Sequence, residues 1–305
     1  MPRVDVIIPA ARAAETLATA IDSVRAQDYP NLGEIIVAAS DAESAEIARD
    51  AGARVIANPS GRTAAGLNLA IEATTAEIVA RVDSQARIPP GYLTRAVATL
   101  ESSGAENVGG MQIPIGVTGW EKAIAAAMAS PFGAGDARYR IGGTAGPTDT
   151  VYLGVFRSST LDRLGGYDEE FIRNQDYELN HRIRESGGIV WFDPELQVSY
   201  RPRGSLRDLA RQYFQYGSWK RKFSRRHPGS LRWRQIAPPL AVTALVVSLV
   251  GAIWWRPFLL VPAVYIGSLV VIGLAQIPRI RWAALGVPPA LATMHLSWGL
   301  GFLLG

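Results

Sequence analysis

The chemistry this 305-residue sequence offers lies in carboxylates placed at the ends of β-type segments. Asp83 follows the run Ile-Val-Ala-Arg-Val and precedes Ser84 and Gln85. Asp41 comes three residues after Glu-Ile-Ile-Val-Ala, and Asp176 and Glu178 open a stretch carrying Leu179 and Ile183 at helical spacing. Hard divalent cations take carboxylate and carbonyl oxygens. One carboxylate within reach of a hydroxyl is enough for general-base catalysis. Cation-assisted or base-assisted group transfer is therefore within the reach of these residues. Each also has a structural reading: a strand-ending turn for Asp83, a helix N-cap for Asp41, and favourable helix-dipole placement for Asp176 and Glu178. The sequence contains no cysteine, which rules out disulfides and thiolate metal sites. Its three histidines, His181, His227 and His295, form no ligand pattern.

Alternating strands and helices position these groups. Val4 to Pro9 is a β-branched run, and Glu15 to Gln27 carries Leu17, Ala20, Ile21 and Val24 at helical spacing. Strands at 34–38, 53–57 and 78–82 then alternate with helices at 42–51 and 64–73, and Pro89-Pro90 follows. That alternation predicts a doubly wound, mainly parallel α/β sheet. Such sheets bind ligands beyond the carboxyl ends of their strands, a rule that gathers Pro9, Ala39 to Asp41, Asn58 and Asp83 around one crevice.

Charge and hydropathy divide the chain. Met1 to Tyr200 carries 17 Lys and Arg against 26 Asp and Glu, whereas residues 201–234 carry eleven basic residues against Asp208 alone. Three apolar stretches of about 20 residues follow, each long enough to cross a bilayer: 237–255, 257–277 and 282–305. A basic block directly before apolar spans predicts a juxtamembrane segment at an anionic leaflet and a cytoplasmic N-terminal domain. Nucleic-acid binding is the competing reading of such a block, and the spans that follow at once argue against it. Arg256 is the lone charge in the first connection and Arg279 and Arg281 lie in the second, so the expected path is in, out, in, out. The opening residues fit a buried strand better than an export signal. The expected divisions are 1–203, a basic amphipathic segment at 204–234, and a three-helix membrane domain at 235–305. On the amphipathic segment, Leu206, Leu209, Tyr213, Tyr216 and Lys220 form one stripe, a pattern suited to a helix in the headgroup layer.

Five segments in order carry a resemblance: VDVIIPA, AIDSVRAQDYPNLGEIIVA, NPSGRTAAGLNLAI, IVARVDSQARIPPGYL and GGYDEEFIRNQDYELNHRIRESGG. Across nearly all of Met1 to Tyr200 they resemble family 2 glycosyltransferases of the GT-A fold, and within these the membrane-anchored members of succinoglycan biosynthesis. The resemblance implies an inverting transferase that moves a sugar, expected as a UDP-hexose, onto a lipid-linked or envelope glycan acceptor. It places the protein in the cell (inner or plasma) membrane, multi-pass, with its catalytic domain cytoplasmic. It also implies Mg²⁺ or Mn²⁺ at Asp83, matched to the first carboxylate of the family's DxD motif, with Gln85 standing where the second carboxylate is expected. Asp176 matches the catalytic base, and Gln175 stands where relatives carry Glu. Pro9, Glu15, Asp41, Arg62 and Asn68 are the remaining donor-side candidates. On the acceptor side are Gly166 and Tyr167 of the Gly-Gly-Tyr segment, Gln175, and Trp219 and Lys220 of QYFQYGSWK, a loose variant of the family's Q-x-x-R-W region. The Gly-rich loop Gly142 to Val151, with Asp149, is a further acceptor-side candidate. Two alternatives stay open: a polyprenyl-phosphate hexose synthase, and a non-catalytic sugar-nucleotide-binding membrane subunit. The expected partners are the nucleotide-sugar donor, the acceptor glycan and anionic lipid, with no nucleic acid, and homo-oligomerisation is left open.

Overall fold

The computed structural model describes all 305 residues, which fall into two compact units: residues 1–113 with 142–200, and residues 114–141 with 201–305. The first unit alternates strands and helices as β1 (Val4–Ala10), α1 (Leu17–Arg25), β2 (Leu32–Ala39), α2 (Ala42–Asp50), β3 (Arg54–Ala57), α3 (Thr63–Ala73), β4 (Ile78–Arg81), α4 (Tyr92–Ser103) and β5 (Asn107–Pro114). The chain then builds α5 (Gly119–Met128), α6 (Pro131–Ala134) and α7 (Arg138–Ile141) of the second unit. It returns to the first with β6 (Gly146–Pro147), β7 (Tyr152–Arg157), α8 (Ser158–Leu164), α9 (Gln175–Glu185) and β8 (Val190–Tyr200).

One eight-stranded sheet runs β3-β2-β1-β4-β7-β5-β8-β6. Its first four strands pair in parallel, as the strand–helix alternation predicts. The other half is antiparallel: β7 pairs in that sense with both β4 and β5, and β6 with β8. The sheet as a whole is therefore mixed. Apolar residues cover both faces, because successive strand residues point opposite ways. From β1, Val4, Val6 and Ile8 join a core with Leu17, Ile21 and Leu93, whereas Ile7 joins Leu67, Val79, Phe156 and Leu179 on the other side. Such two-sided burial is why β1 and β2 read as continuous apolar runs.

The second unit adds α10 (Leu206–Arg226), α11 (Trp233–Gly251), α12 (Leu260–Leu274), α13 (Ile277–Ile280) and α14 (Val287–Leu304), with 3₁₀ turns at 256–259 and 281–286. Three stretches are long and apolar enough to cross a membrane: Trp233–Gly251, Arg256–Leu274 and Ile277–Leu304. The structure divides the chain after Tyr200 rather than at residue 203 and keeps residues 204–234 and 235–305 in one unit, and residues 114–141 also belong with these C-terminal helices. The cause is the apolar face of α5, where Ala123, Ile124, Ala127 and Met128 are buried and pack toward α14 and the 281–286 turn. A capping box starts that helix, Thr118 and Glu121 satisfying each other's backbone N–H groups.

Asp41 is fully engaged in the local fold. Its carboxylate accepts from the Ser44 N–H at 2.8 Å, the Ser44 hydroxyl at 3.0 Å and the Arg12 N–H at 2.8 Å. It thus caps α2 and ties down the β1–α1 loop, and the backbone donors of Ser44 and Arg12 hold its pKa below the usual value. Asp41→Ala is expected to cost about 1 kcal/mol at neutral pH, or about 2–4 °C in Tm. A lowered folded-state pKa means this stabilisation is complete above the unfolded value, near about 4, and disappears as pH falls through the folded one. Thermal melts of wild type and Asp41→Ala should accordingly converge in acid, and equal melts at pH 7 would refute the role of the cap.

Candidate functional site

β4 is a four-residue strand buried on both sides, and its last residue is charged. Ile78 and Ala80 point to one core, Val79 and Arg81 to the other. The Arg81 side chain is only 6% exposed, yet it reaches the carboxyl end of the sheet. There its Nε and Nη2 donate to Asp83 Oδ1 at 2.9 and 2.8 Å, and its Nη1 donates to Asp176 Oδ1. One guanidinium thus joins the two carboxylates that the sequence separates by 93 positions. Burial works against the Arg81 charge, but Asp83 beside it prevails and its pKa is raised, so it stays a cation. The other oxygen of each carboxylate makes no hydrogen bond within the protein. Asp83 is 17% exposed and Asp176 46%, so both can meet an incoming ligand.

The ring of Tyr167 lies against the guanidinium, 5.7 Å from its central carbon, and packs edge-on to Phe156. Burial pushes the Tyr167 phenol pKa up, so the ring is a neutral wall under the cation. Its backbone is held by Asn68 on α3: the Asn68 amide donates to Tyr167 O at 2.9 Å and accepts from Tyr167 N–H at 2.8 Å. The same amide donates to Glu169 at 3.1 Å. Gly165 and Gly166 precede Tyr167 in the left-handed region, at φ 70° and 66°, where glycine is unstrained. A Cβ at Gly166 would also lie 2.5 Å from the Asn68 amide oxygen. Behind this loop, buried Glu178 pairs with Arg182, which donates onward to Leu164 O at 2.6 Å and Gly166 O at 2.7 Å. Glu178 and Asn68 therefore fix the loop that carries Tyr167.

Asp176 is the second residue of α9, behind Asn174 in the left-handed conformation at φ 62°, and Gln175 is buried at the helix start. Pro9 lies at the end of β1 paired with Ala38, and Glu15 is exposed in the following turn. Arg62 is exposed at the start of α3, and Gln85 is exposed two residues beyond Asp83. Asp149 is buried. Trp219 and Lys220 belong to the second unit, where Lys220 is buried with its ammonium 4.2 Å from the centre of the Phe223 ring and Trp219 carries Lys222 over its indole. No cluster of three His, Asp or Glu side chains suited to a metal ion is present. Sequence reasoning missed Arg81. Its signal was a lone charge inside an otherwise apolar central strand, a position that tolerates a cation only when carboxylates meet it.

Residues 5–165, more than half of the chain, match the model of "Glycosyl transferase family 2". The chain is 27% identical over 309 residues to the succinoglycan biosynthesis protein ExoA of Rhizobium meliloti (strain 1021), covering 97% of this chain and 93% of that one. Among solved structures it is similar to the mannosyltransferase PcManGT from Pyrobaculum calidifontis in complex with GDP-Man and Mn²⁺. The TM-score is 0.63 at 20% identity, over 97% of this chain and 87% of that one. It is also similar to residues 1–349 of S. aureus TarS in complex with UDP, with a TM-score of 0.51 at 14% identity over 99% and 90%. The sheet order, the Arg81-bridged carboxylates at its carboxyl edge and the family match converge: this chain belongs to glycosyl transferase family 2, with a GT-A-type fold, and is a glycosyltransferase.

Proposed function

We propose that the chain transfers a hexose, with inversion, from a nucleotide-diphosphate sugar to a lipid-linked or envelope glycan acceptor on the cytoplasmic face of a cell membrane. The observation that carries this reading is the pairing of Asp83 and Asp176 through Arg81, each carboxylate keeping one oxygen free. Support for the donor class comes from the relatives bound to GDP-Man and to UDP, and for the product class from the succinoglycan relative. The three apolar helices support a membrane location.

In this reading Asp176 takes the proton of the acceptor hydroxyl as its oxygen bonds to the anomeric carbon. The bond from that carbon to the donor phosphate breaks, and the nucleoside diphosphate leaves with the electron pair. Inverting transfer of this kind needs one positioned base and no covalent intermediate. Arg81 fixes the distance of Asp176 from Asp83. Tyr167 closes the apolar side of the cation, and Gly166 lets the backbone approach closely.

A divalent ion fits the donor set only as a shared one. Asp83 offers one free carboxylate oxygen and Gln85 a neutral carbonyl, so most of the ligands would come from donor phosphate and water, the usual state of Mg²⁺ in phosphate sites. Bound there with Mg²⁺ or Mn²⁺, the ion would neutralise the leaving diphosphate. The Mn²⁺ of the mannosyltransferase relative supports this assignment.

Detergent-purified protein given UDP-, GDP- and dTDP-sugars with a polyprenyl-linked acceptor is expected to turn over one donor. Asp176→Asn should lower kcat by about 10²–10⁴-fold, the usual worth of a general base. Asp83→Asn should raise the Mn²⁺ concentration needed for half activity. Absence of turnover with every donor, together with no thermal shift from any nucleotide, would leave a non-catalytic scaffold subunit as the reading. Replacing Arg81 tests the bridge itself. Arg81→Gln should lower kcat/KM by about 10–100-fold, the worth of a charge-assisted hydrogen bond. An unchanged kcat/KM would detach Arg81 from the base.

A further inference from the structure

The apolar helix α14 is long enough to cross much of a bilayer: its 18 residues extend about 27 Å. It packs against the apolar helices α11 and α12, with His295 also bonded to Tyr265 of α12, but its other neighbours within the second unit are segments that cannot sit in hydrocarbon. Its last two turns run beside α10, a helix bearing Arg207, Arg211, Lys220, Arg221, Lys222, Arg225 and Arg226. The approach is backbone to backbone. A Cβ on Gly217 would lie 2.8 Å from Phe302 N, and one on Gly301 would lie 2.9 Å from the Phe214 carbonyl carbon. The Arg221 guanidinium donates to the carbonyls of Phe302 and Leu303, capping the C-terminal end of α14. The other end of α10 is equally polar, because Arg201, just before it, pairs with Glu121 at the start of α5.

The middle and start of α14 meet the same kind of partner. His295 donates from Nε2 to Phe132 O at 2.8 Å, pinning the helix midpoint to the four-residue α6, and Asp136, Arg138 and Arg140 follow at once. At the N-terminal end, a Cβ on Gly286 would lie 2.7 Å from Ala123 and 3.3 Å from Trp120 of α5. Gly299, twelve residues into α14, approaches Pro238 O, only five residues into α11. Two spans entering from one leaflet would not match at such different depths. The cleft between α5, α6 and the α12–α14 connection, a cavity of about 930 Å³, is lined by Lys122, Arg279 and Arg281 with no carboxylate, which suits a headgroup layer. Were α14 to cross, the charges of α10 would follow it inward, away from the water that solvates them.

We propose that α14 lies in the plane of the membrane, in the headgroup layer on the side of α10. Its exposed stripe Leu296, Leu300, Leu303 and Leu304 faces the lipid acyl chains, and the chain crosses the bilayer only through the α11–α12 hairpin. The tilted face fits helical spacing, since those leucines recur at i, i+4, i+7 and i+8. Residue 305 then returns to the side of α10, in place of the out position that loop charges alone predict. The proposal rests on the reading of the chain as a membrane protein, and its test separates the two.

The absence of native cysteine makes the test clean. Three single-cysteine forms of the full chain are made: Ser102→Cys in the first unit, Trp254→Cys in the exposed α11–α12 connection, and a Gly-Ser-Cys tail appended after Gly305. Each is treated with a membrane-impermeant maleimide in sealed right-side-out and inverted vesicles. The expected result is that the tail and Ser102→Cys react in the same vesicles and Trp254→Cys in the opposite ones. Labelling of the tail together with Trp254→Cys would show that α14 crosses and overturn the proposal alone. Labelling of all three from one side would overturn it along with membrane crossing itself. C-terminal fusions to green fluorescent protein and to alkaline phosphatase give a second readout without a substitution. Fluorescence with an inactive phosphatase is expected, and the reverse pattern overturns the proposal.

Discussion

A buried guanidinium that must satisfy two carboxylates is the constraint on which the first unit depends. Arg81 leaves a central strand whose other residues are apolar, so its charge is tolerable only because Asp83 and Asp176 meet it. The two acids in turn could not converge on one ligand without a cation to offset their repulsion. The requirement is mutual. It fixes the turn after β4 to the start of α9, although these segments are far apart in the chain. The fixation reaches outward through Tyr167 under the cation, Asn68 reading the Tyr167 backbone, and Arg182 holding the carbonyls of Leu164 and Gly166. Three elements, α3, α8 and α9, thereby set the position of one ring and one charge.

This arrangement explains how a site with a thin metal-ligand set can still be organised. A second carboxylate at position 85 would bring more negative charge to the cluster and more affinity for a hard cation. Here Gln85 is neutral and exposed, and a fixed protein cation already holds Asp83 in place before any ligand arrives. Preorganisation by hydrogen bonds costs nothing at the moment of reaction. The binding of a shared ion is then mainly a matter of the donor's own phosphates.

Much of this was legible in the sequence, and what was not has identifiable physical causes. The parallel half of the sheet was readable because β1, β2 and β4 are short β-branched runs separated by helices with apolar spacing. The antiparallel half was not: β5 contains Gly109 and Gly110, β6 is two residues long, and β7 carries a glycine at 154, so none has a clear period. Asp83 was found by its position at a strand end, and Asp176 by its match to the catalytic motif of the family the sequence resembles. Their contact was not, because nothing local records that α9 returns to β4. Asp41 had two readings in the sequence, and the structure fills its oxygens with the Ser44 and Arg12 donors of the cap. Residues 114–141 were assigned by continuity to the first domain, whereas the buried face of α5 shows their affinity for the C-terminal helices.

Hydropathy alone does not set the depth of α14, for a related reason. A window average records that a segment is apolar, and it carries no information about what covers each side. In α14 the covered sides are met by α11 and α12, by glycine-mediated backbone contacts with a strongly basic helix, and by a histidine bonded to a short irregular one. Small residues let helices approach closely in membranes and at their edges alike, so Gly299 and Gly301 do not by themselves distinguish the two. The partner decides. A helix whose neighbour carries seven basic residues shares that neighbour's depth, and depth is therefore a property of the pair rather than of either sequence. An apolar helix held this way has no need to cross: its backbone hydrogen bonds are internal, its leucine stripe reaches lipid, and its C-terminal carbonyls are met by Arg221 instead of water.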